Sequence, residues 1–261
     1  MRADPRAWGP PVAGIAVALL LAEAASRAEV LPSTYFPPVS RTVVTLAGEL
    51  GQGALWAAVG HTLQGWALGL GLAAALAIPA GVAIGTSAVR YRACRMLIEF
   101  LRPIPSVALI PLAILVYGIG LESKVFLAAF AALWPLLIQT VYGMQDVDPV
   151  ALDTARVFGL RRSERLTRVV LPSAVPYVAT GLRISSTVAL ILAVTAELVI
   201  GSAGLGREIN AARAGGATDL MYALIIVTGL VGWGLNGIFS RVERRVLRWH
   251  PAHRTVEGSA A

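Results

Sequence analysis

The sequence predicts an all-α protein that crosses a membrane several times, and three observations carry this prediction. Of the 261 residues, 56% are hydrophobic and only 14% are charged, whereas soluble domains carry roughly 25% charged residues. The mean hydropathy of +0.70 is too high for an ordinary soluble domain. Long apolar runs, near the roughly 20 residues that a helix needs to cross a bilayer, alternate with short arginine-rich segments.

Six apolar runs are the predicted membrane-spanning helices. The third contains Pro103, Pro105 and Pro111, and each internal proline removes a backbone hydrogen bond. Because freed carbonyls cannot face lipid, we expect this span to be broken and to border a cavity or an interface. The six predicted spans are residues 8–25, 61–87, 96–117, 125–143, 175–200 and 220–239, the last of which can extend to 247.

The spans divide the chain into four predicted regions. Residues 1–30 form an N-terminal tail and the first helix, and residues 31–58 form a periplasmic segment that includes an amphipathic helix at 39–56. Residues 59–249 form a five-helix core that includes the loop 146–172, and residues 250–261 form a flexible tail. The predicted apolar side of the amphipathic helix consists of Val43, Leu46, Ala47 and Leu50.

The cationic residues predict which ends of the spans face the cytoplasm. If the N-terminus lies inside, the inside segments hold fifteen arginines and the outside segments hold only five cationic residues. Cytoplasmic loops carry an excess of Arg and Lys, so we expect both termini and loop 146–172 to be cytoplasmic. The net charge of +7 then reflects topology rather than binding to nucleic acid. The five outside residues are Arg27, Arg41, Lys124, Arg207 and Arg213.

Small residues recur within the second span. Gly65 and Gly69 are four residues apart, as are Gly81 and Gly85. Glycines at this spacing let two helices approach closely in a membrane. The pattern fits ordinary packing within one subunit, and it also fits surfaces that slide during transport.

Loop 146–172 is the most polar long segment, yet it predicts two short helices. Asp148 is a good N-cap and Pro149 suits the first helical turn. Residues 150–158 can form a helix, and Gly159 follows where a left-handed residue often ends one. Ser163 can cap a second helix. One apolar stripe is predicted along the first helix, formed by Ala151, Ala155 and Phe158.

The same loop resembles the coupling loop of bacterial ABC importer permeases, whose pattern is E-A-A, three residues, Gly, nine residues, Ile, one residue, Leu-Pro. Residues 153–155 (DTA) take the E-A-A positions, with mild changes, and Gly159, Val169 and Leu171-Pro172 follow at the family spacing. The resemblance implies the type I ABC importer permease fold and a coupling helix that sits in a groove of the ATPase subunit. An ordinary arginine-rich inside loop is the alternative. The implied coupling residues are Asp153, Thr154, Ala155, Arg156, Gly159, Leu171 and Pro172.

Other stretches are similar to the permease subgroup that imports nitrate, taurine and alkanesulfonates. They are residues 31–33 (LPS), 102–105 (RPIP), 117–120 (YGIG), 180–183 (TGLR) and 196–197 (AE). The resemblance implies a small anion as the solute and the bacterial inner membrane as the location, with membrane lipid around the helices. It also implies two ABC ATPase subunits, a second and identical permease subunit, and a periplasmic or lipid-anchored binding protein.

Few polar groups remain inside the spans, and Glu197 is the most costly of them. Its carboxylate could gate the pathway, pair with a cation on a neighbouring helix, or lie close enough to the outer surface to be solvated. If the solute is an anion, its partners would be hydrogen-bond donors such as Gln139, Thr187 and Thr195, or helix N-termini. The sequence does not choose among these groups.

Motifs of enzymes are missing from the sequence. It has no Gly-x-x-x-x-Gly-Lys-Ser/Thr, so we expect ATP to bind a partner chain. His61, His250 and His253 form no zinc pattern, and Cys94 is the single cysteine. We therefore expect no catalytic residue, metal or cofactor. A stand-alone secondary transporter or channel that uses Glu197 is the alternative function, and an intramembrane enzyme lacks any catalytic constellation.

Overall fold

The computed structural model describes residues 9–30, 32 and 34–247, and the described part of the chain is helical with short connections and no strand. The predicted all-α class is confirmed. A single 3-10 turn (Ser106–Leu109) precedes α5, and a π turn (Leu166–Val170) joins α8 to α9. The helices are α1 (Gly9–Arg27), α2 (Val39–Glu49), α3 (Gly53–Gly85), α4 (Ala88–Leu101), α5 (Ile110–Tyr117), α6 (Leu121–Gln145), α7 (Pro149–Val157), α8 (Arg162–Arg165), α9 (Leu171–Ile200), α10 (Leu205–Ala214) and α11 (Thr218–Val246).

Four of the described helices are long and apolar enough to cross a membrane: α3, α6, α11 and the continuous helix Arg162–Ile200. The helices on either side of the proline-rich break, Ala88–Leu101 and Ser106–Tyr117, meet at 78° and make a fifth span if they count as one. Several helices extend beyond the predicted apolar runs: α3 begins at Gly53, α6 at Leu121 and α9 at Leu171. The total of six spans and the division into four regions stay predictions, and residues 250–261 lie outside the described residues.

The centre of the bundle is the contact between α3 and α6. A methyl group added to Gly69 would lie 2.6 Å from Cβ of Ala128, and one added to Gly81 would lie 2.6 Å from Cβ of Thr140. The glycines therefore allow close approach between two helices of the same subunit, as the four-residue spacing predicts. Gly85 meets Met144 in the same way. Because the residue numbers of the contacting pairs rise together in both helices, α3 and α6 run parallel.

Helix α9 packs antiparallel along α6. Tyr177 lies against Gly143 near one end, the Ser185 hydroxyl donates to the carbonyl of Ala132 at 2.7 Å midway, and Glu197 meets Lys124 near the other. The bundle thus has an α7 end, which carries α7 and α8, and a Glu197 end, which carries α10. The C-terminal part of α11 belongs to the α7 end.

The surface helix is shorter than predicted. Helix α2 covers Val39–Glu49, and α3 already begins at Gly53, because glycines at 48 and 51 weaken helix propensity between them. Val43 and Leu50, on the predicted apolar side, are about half exposed, and the role of this side as a membrane-surface face stays a prediction. Thr42 is buried instead, and Leu46 packs on a core cluster formed by α3, α10 and α11.

Candidate functional site

Helix α7 has a defined beginning and a defined end. The carboxylate of Asp148 accepts a hydrogen bond from the backbone N–H of Val150 at 2.8 Å. Gly159 has a φ of 72°, and the N–H of Leu160 donates to the carbonyl of Ala155 at 3.1 Å, as in a Schellman motif. The predicted caps at Asp148 and Gly159 are confirmed, and local sequence fixes both ends of the helix.

Most of α7 faces away from the rest of the chain. Val157 is 87% exposed and Phe158 is 77% exposed, while Ala155 is buried and Ala151 is half-buried. The predicted apolar stripe is therefore wrong at Phe158, because this residue follows the last helical position and the chain turns there. Apolar side chains on an exposed helix at the end of a bundle leave a surface that a partner can bind.

The second short helix begins differently from the prediction. The N–H of Arg161 donates to the carboxylate of Glu164 at 2.8 Å, so Ser163 lies inside α8 and does not cap it. Pro172 has no N–H to donate, and a π turn carries the chain from α8 into α9. Consequently the loop is connected to the core by the helical segment Arg162–Ile200, in which α8, the π turn and α9 follow one another with no non-helical residue between them.

At the Glu197 end, a buried ion pair joins three helices. Nζ of Lys124 lies 2.9 Å from Oε1 of Glu197, and the two side chains are 2% and 0% exposed. The same ammonium donates to the carbonyls of His61 and Ala203, each at 2.9 Å. All three ammonium hydrogens therefore have an acceptor.

The second carboxylate oxygen of Glu197 is also fully engaged. Oε2 accepts from the hydroxyl of Thr62 at 2.9 Å and from the N–H of Gly206 at 3.0 Å. The Thr62 oxygen in turn accepts from the N–H of Leu205 at 2.9 Å. The carboxylate thus connects α3, α6, α9 and the first turn of α10 in one satisfied network.

Two glycines make room for this network. Gly204 has a φ of 149°, and a methyl group there would lie 2.1 Å from Cδ of Glu197. A methyl group on Gly65 would lie 2.5 Å from Cε of Lys124. Of the three alternatives for Glu197, the structure shows pairing with a cation on a neighbouring helix, and solvation at the outer surface is wrong. Lys124 lies in the first turn of α6, and its assignment to the outside end of the predicted span stays a prediction.

A cavity of about 390 Å³ lies between α6, α9 and the proline-rich break. Arg102 and Ser106 from the break and Trp134 and Gln139 from α6 line it, and Nε1 of Trp134 is buried without a hydrogen-bond partner. The prediction that the broken span borders a cavity is confirmed. The rest of the wall is apolar and consists of Ala131, Pro135, Ile138, Ile184, Val188 and Leu192.

The sequence matches one family of transport proteins over most of its length. The model of the binding-protein-dependent transport system inner membrane component matches residues 69–248. The chain belongs to this family of ABC importer permeases.

The taurine transport system permease protein TauC of Escherichia coli is 31% identical over 241 residues, 90% of this chain and 88% of that protein. The nitrate import permease protein NrtB of Leptolyngbya laminosa is 32% identical over 196 residues, 75% and 70% of the two chains. The putative aliphatic sulfonates transport permease protein SsuC of Bacillus subtilis is 30% identical over 224 residues, 86% and 81% of the two chains.

Solved structures agree on the fold of the permease. The methionine ABC transporter MetNI in an inward-facing conformation superposes with a TM-score of 0.65 at 18% identity, over 74% of this chain and 96% of that one. An amino acid ABC transporter gives 0.59 at 18% identity, over 75% and 93%. The expected permease fold is confirmed. The permease is a transport subunit of the inner membrane and not an enzyme.

The predicted coupling residues of the permease fall into two places. Asp153, Thr154, Ala155 and Arg156 lie on α7, and Gly159 ends it. Arg156 pairs with Asp153 at 2.5 Å on the exposed surface. The other two predicted residues, Leu171 and Pro172, lie apart at the start of α9, where they line an apolar groove of about 720 Å³.

The four predicted pathway residues do not come together in the permease. Gln139 lies opposite Gly181. Gly181 precedes Glu197 by sixteen positions, which corresponds to about 24 Å along α9 at 1.5 Å per residue. The hydroxyls of Thr187 and Thr195 donate to carbonyls of their own helix, at 3.4 and 2.7 Å. Among the four, Gln139 lines the cavity.

Sequence reasoning missed Lys124 as a partner of Glu197 and missed the other polar residues of the cavity. A signal existed for Lys124, because it is the single lysine of the chain and a membrane carboxylate needs a cation. A signal for Arg102 existed too, since it immediately precedes the first proline of the break. Trp134 sits in an ordinary apolar run, and no local pattern distinguishes it from its neighbours.

Proposed function

We propose that this permease imports a small anion, such as nitrate, taurine or an alkanesulfonate, across the inner membrane. The observation that carries the proposal is the similarity to relatives named for taurine, nitrate and aliphatic sulfonates, over 75–90% of the chain. As an ABC importer permease it works with an ATPase and a substrate-binding protein. Two copies of this chain, each bound to one ATPase subunit, would enclose the pathway.

Helix α7 is the element proposed to bind the ATPase. Its apolar residues Val157 and Phe158 and its exposed pair Asp153–Arg156 form a surface that the rest of the described chain leaves uncovered. Both ends of α7 are capped, which suits a rigid lever that passes motion from one subunit to another. The arginines of the loop and of the end of α11 share this end of the bundle, which supports a cytoplasmic orientation for it and for both termini.

Uptake by the reconstituted importer tests the proposal. The permease, its ATPase and its binding protein are placed in liposomes, and labelled nitrate, taurine and methanesulfonate are offered with and without ATP. We expect ATP-dependent uptake of at least one of the three anions. Taurine is a zwitterion that carries a sulfonate, so the shared feature of the three solutes is an oxyanion group. Transport of a solute without an oxyanion group, with none of the three carried, would overturn the proposed substrate class.

The geometry gives no support to a stand-alone transporter or channel that uses Glu197 as an ion site. Both carboxylate oxygens are occupied by donors, and the side chain is fully buried. A titrating or ion-exchanging carboxylate needs access to water or to the ion. Membership of the ABC importer permease family points the same way.

A further inference from the structure

We propose that the cavity between α6, α9 and the proline-rich break binds the oxyanion group of the transported solute, through Arg102, Trp134, Ser106 and Gln139. The site deepens the proposed function, on which it rests, by placing recognition of the anion within the permease itself. It would take planar or tetrahedral oxyanions of nitrate or sulfonate size.

The first support is an unpartnered donor. Nε1 of Trp134 is buried and has no hydrogen-bond partner among the described residues, although the indole N–H can only donate. Buried polar atoms in native proteins are nearly always paired with protein, water or ligand. Trp134 lines the cavity with other atoms of its side chain, and no water-sized space adjoins Nε1 itself. A turn of the indole toward the cavity would bring its N–H to an acceptor there, and the oxygens of nitrate and sulfonate are acceptors.

The second support is the charge of the cavity. Arg102 is exposed and makes no ion pair with any described carboxylate. Glu99, one turn earlier, shares a neighbouring pocket with Arg102 but pairs with Arg95 at 2.7 Å. None of the residues that line the cavity is acidic, so the guanidinium is its sole formal charge. The planar fork of N–H groups in arginine matches two oxygens of an oxyanion.

The third support is the position and size of the cavity. Its α9 wall, from Ile184 to Leu192, lies in the middle of α9, between the α7 end and the Glu197 end. Irregular backbone inside a membrane occurs where it lines a cavity, and the break between α4 and α5 supplies Arg102 and Ser106 at this depth. A volume of about 390 Å³ holds a small anion with several waters.

The larger groove at the α7 end lacks these features. Its volume of about 720 Å³ is lined almost entirely by apolar side chains of α3, α9 and α11. Its one carboxylate, Glu243, lies 3.2 Å from Arg183 and accepts from the hydroxyl of Thr180. No described Arg or Lys lines this groove, so it offers an anion no cationic partner, and we assign the anion site to the smaller cavity.

Binding to the full chain in lipid nanodiscs, together with its ATPase subunit, tests the site. Trp134→Phe keeps the ring and removes the N–H, and Arg102→Gln removes the charge while keeping a donor. Matched controls are Trp233→Phe, whose side chain is 76% exposed on α11, and Arg90→Gln, on α4 but bonded to Thr86 outside the cavity. Saturable binding of nitrate, taurine and methanesulfonate is measured by calorimetry.

We expect each cavity variant to raise the Kd of at least one anion about tenfold or more, because the lost hydrogen bond is to a charged group, and the controls to leave it unchanged. Unchanged affinity in both cavity variants, or no saturable binding of any of the three anions to the native permease, overturns the site. If Arg102→Gln fails to fold, as judged by size-exclusion profile, Ser106→Ala takes its place.

Uptake by the complete importer separates failure of the site from failure of the proposed function. Native uptake of an anion with unchanged kcat/KM in Trp134→Phe and Arg102→Gln overturns the site and leaves the function standing. Absence of anion uptake by the native importer overturns the function. A loss of uptake that is confined to the cavity variants, with ATP hydrolysis retained, supports both.

Discussion

Breaking the buried pair of Lys124 and Glu197 should destabilise the permease far more than breaking an exposed pair. At 2.9 Å and an effective dielectric constant of about 20, two unit charges attract by about 6 kcal/mol. Desolvation of the two ions offsets much of this attraction, but removing one partner leaves the other buried and uncompensated, at a cost of about 3–5 kcal/mol. The hydrogen bonds that remain in each single variant predict which of the two is the less stable.

Glu197→Gln should fall at the lower end of that range, and Lys124→Met at the upper end. In Glu197→Gln the ammonium keeps the carbonyls of His61 and Ala203, and the amide oxygen can still accept a hydrogen bond. In Lys124→Met the carboxylate keeps only its neutral donors, while both carbonyls lose theirs. The double variant should be less destabilised than the sum of the singles, because no uncompensated ion remains.

The assay is the free energy of unfolding of the purified permease in mixed micelles, with Glu99→Gln as the control. Glu99 pairs with Arg95 at a similar distance of 2.7 Å, but both side chains are more than half exposed, so its loss should change stability little. If Lys124→Met and Glu197→Gln resemble the control, or if their effects simply add, the described burial of this pair is refuted.

Three further predictions concern α7 and the glycines. Gly159→Val should leave the protein in the membrane but abolish ATP-driven uptake. The control Gly216→Val, with a similar φ of 70° and equally open surroundings, should leave uptake intact. Normal uptake by the Gly159 variant would contradict the coupling role of the turn. Val157→Asp should prevent copurification of the ATPase without changing the thermal stability of the permease, and undiminished copurification would exclude this face of α7 as the contact. Gly204→Ala should lower the free energy of unfolding by about 1–3 kcal/mol through overpacking. The control Gly71→Ala, whose added methyl group meets nothing within 4 Å, should be neutral or stabilising. Equal effects of the two substitutions would contradict the close approach at Gly204.

The features that the sequence predicted best are those determined by neighbours along the chain. The caps of α7 depend on Asp148 and Gly159, each within a few residues of the groups it serves, so local rules suffice. The long apolar helices follow from hydropathy for the same reason. The interior glycines of α3 also follow from local spacing, although the helix against which they pack does not.

The errors arise where distant segments meet. The pairing of Lys124 was missed because counting charges along the chain does not reveal a carboxylate partner that is 73 positions away. The cavity combines the break after α4 with α6 and α9, and no local pattern marks Trp134 as polar in function. Small shifts of helix ends account for two further errors: Phe158 lies one residue past the end of α7, and Ser163 lies two residues after Arg161, the N-cap of α8.

The connection between α7 and the cavity lies in one helix. The helix Arg162–Ile200 begins beside the turn at Gly159, forms the cavity wall from Ile184 to Leu192, and ends at the network around Glu197. Near its start, the π turn and the missing N–H groups of Pro172 and Pro176 interrupt the regular hydrogen bonding, which is where helices bend. Its far end is held by the buried ion pair, and its middle packs on α6. If α7 moves with the ATPase, as proposed, we expect the displacement to be taken up between the weak point at the α7 end and the anchor at the Glu197 end, in the segment that lies against the cavity.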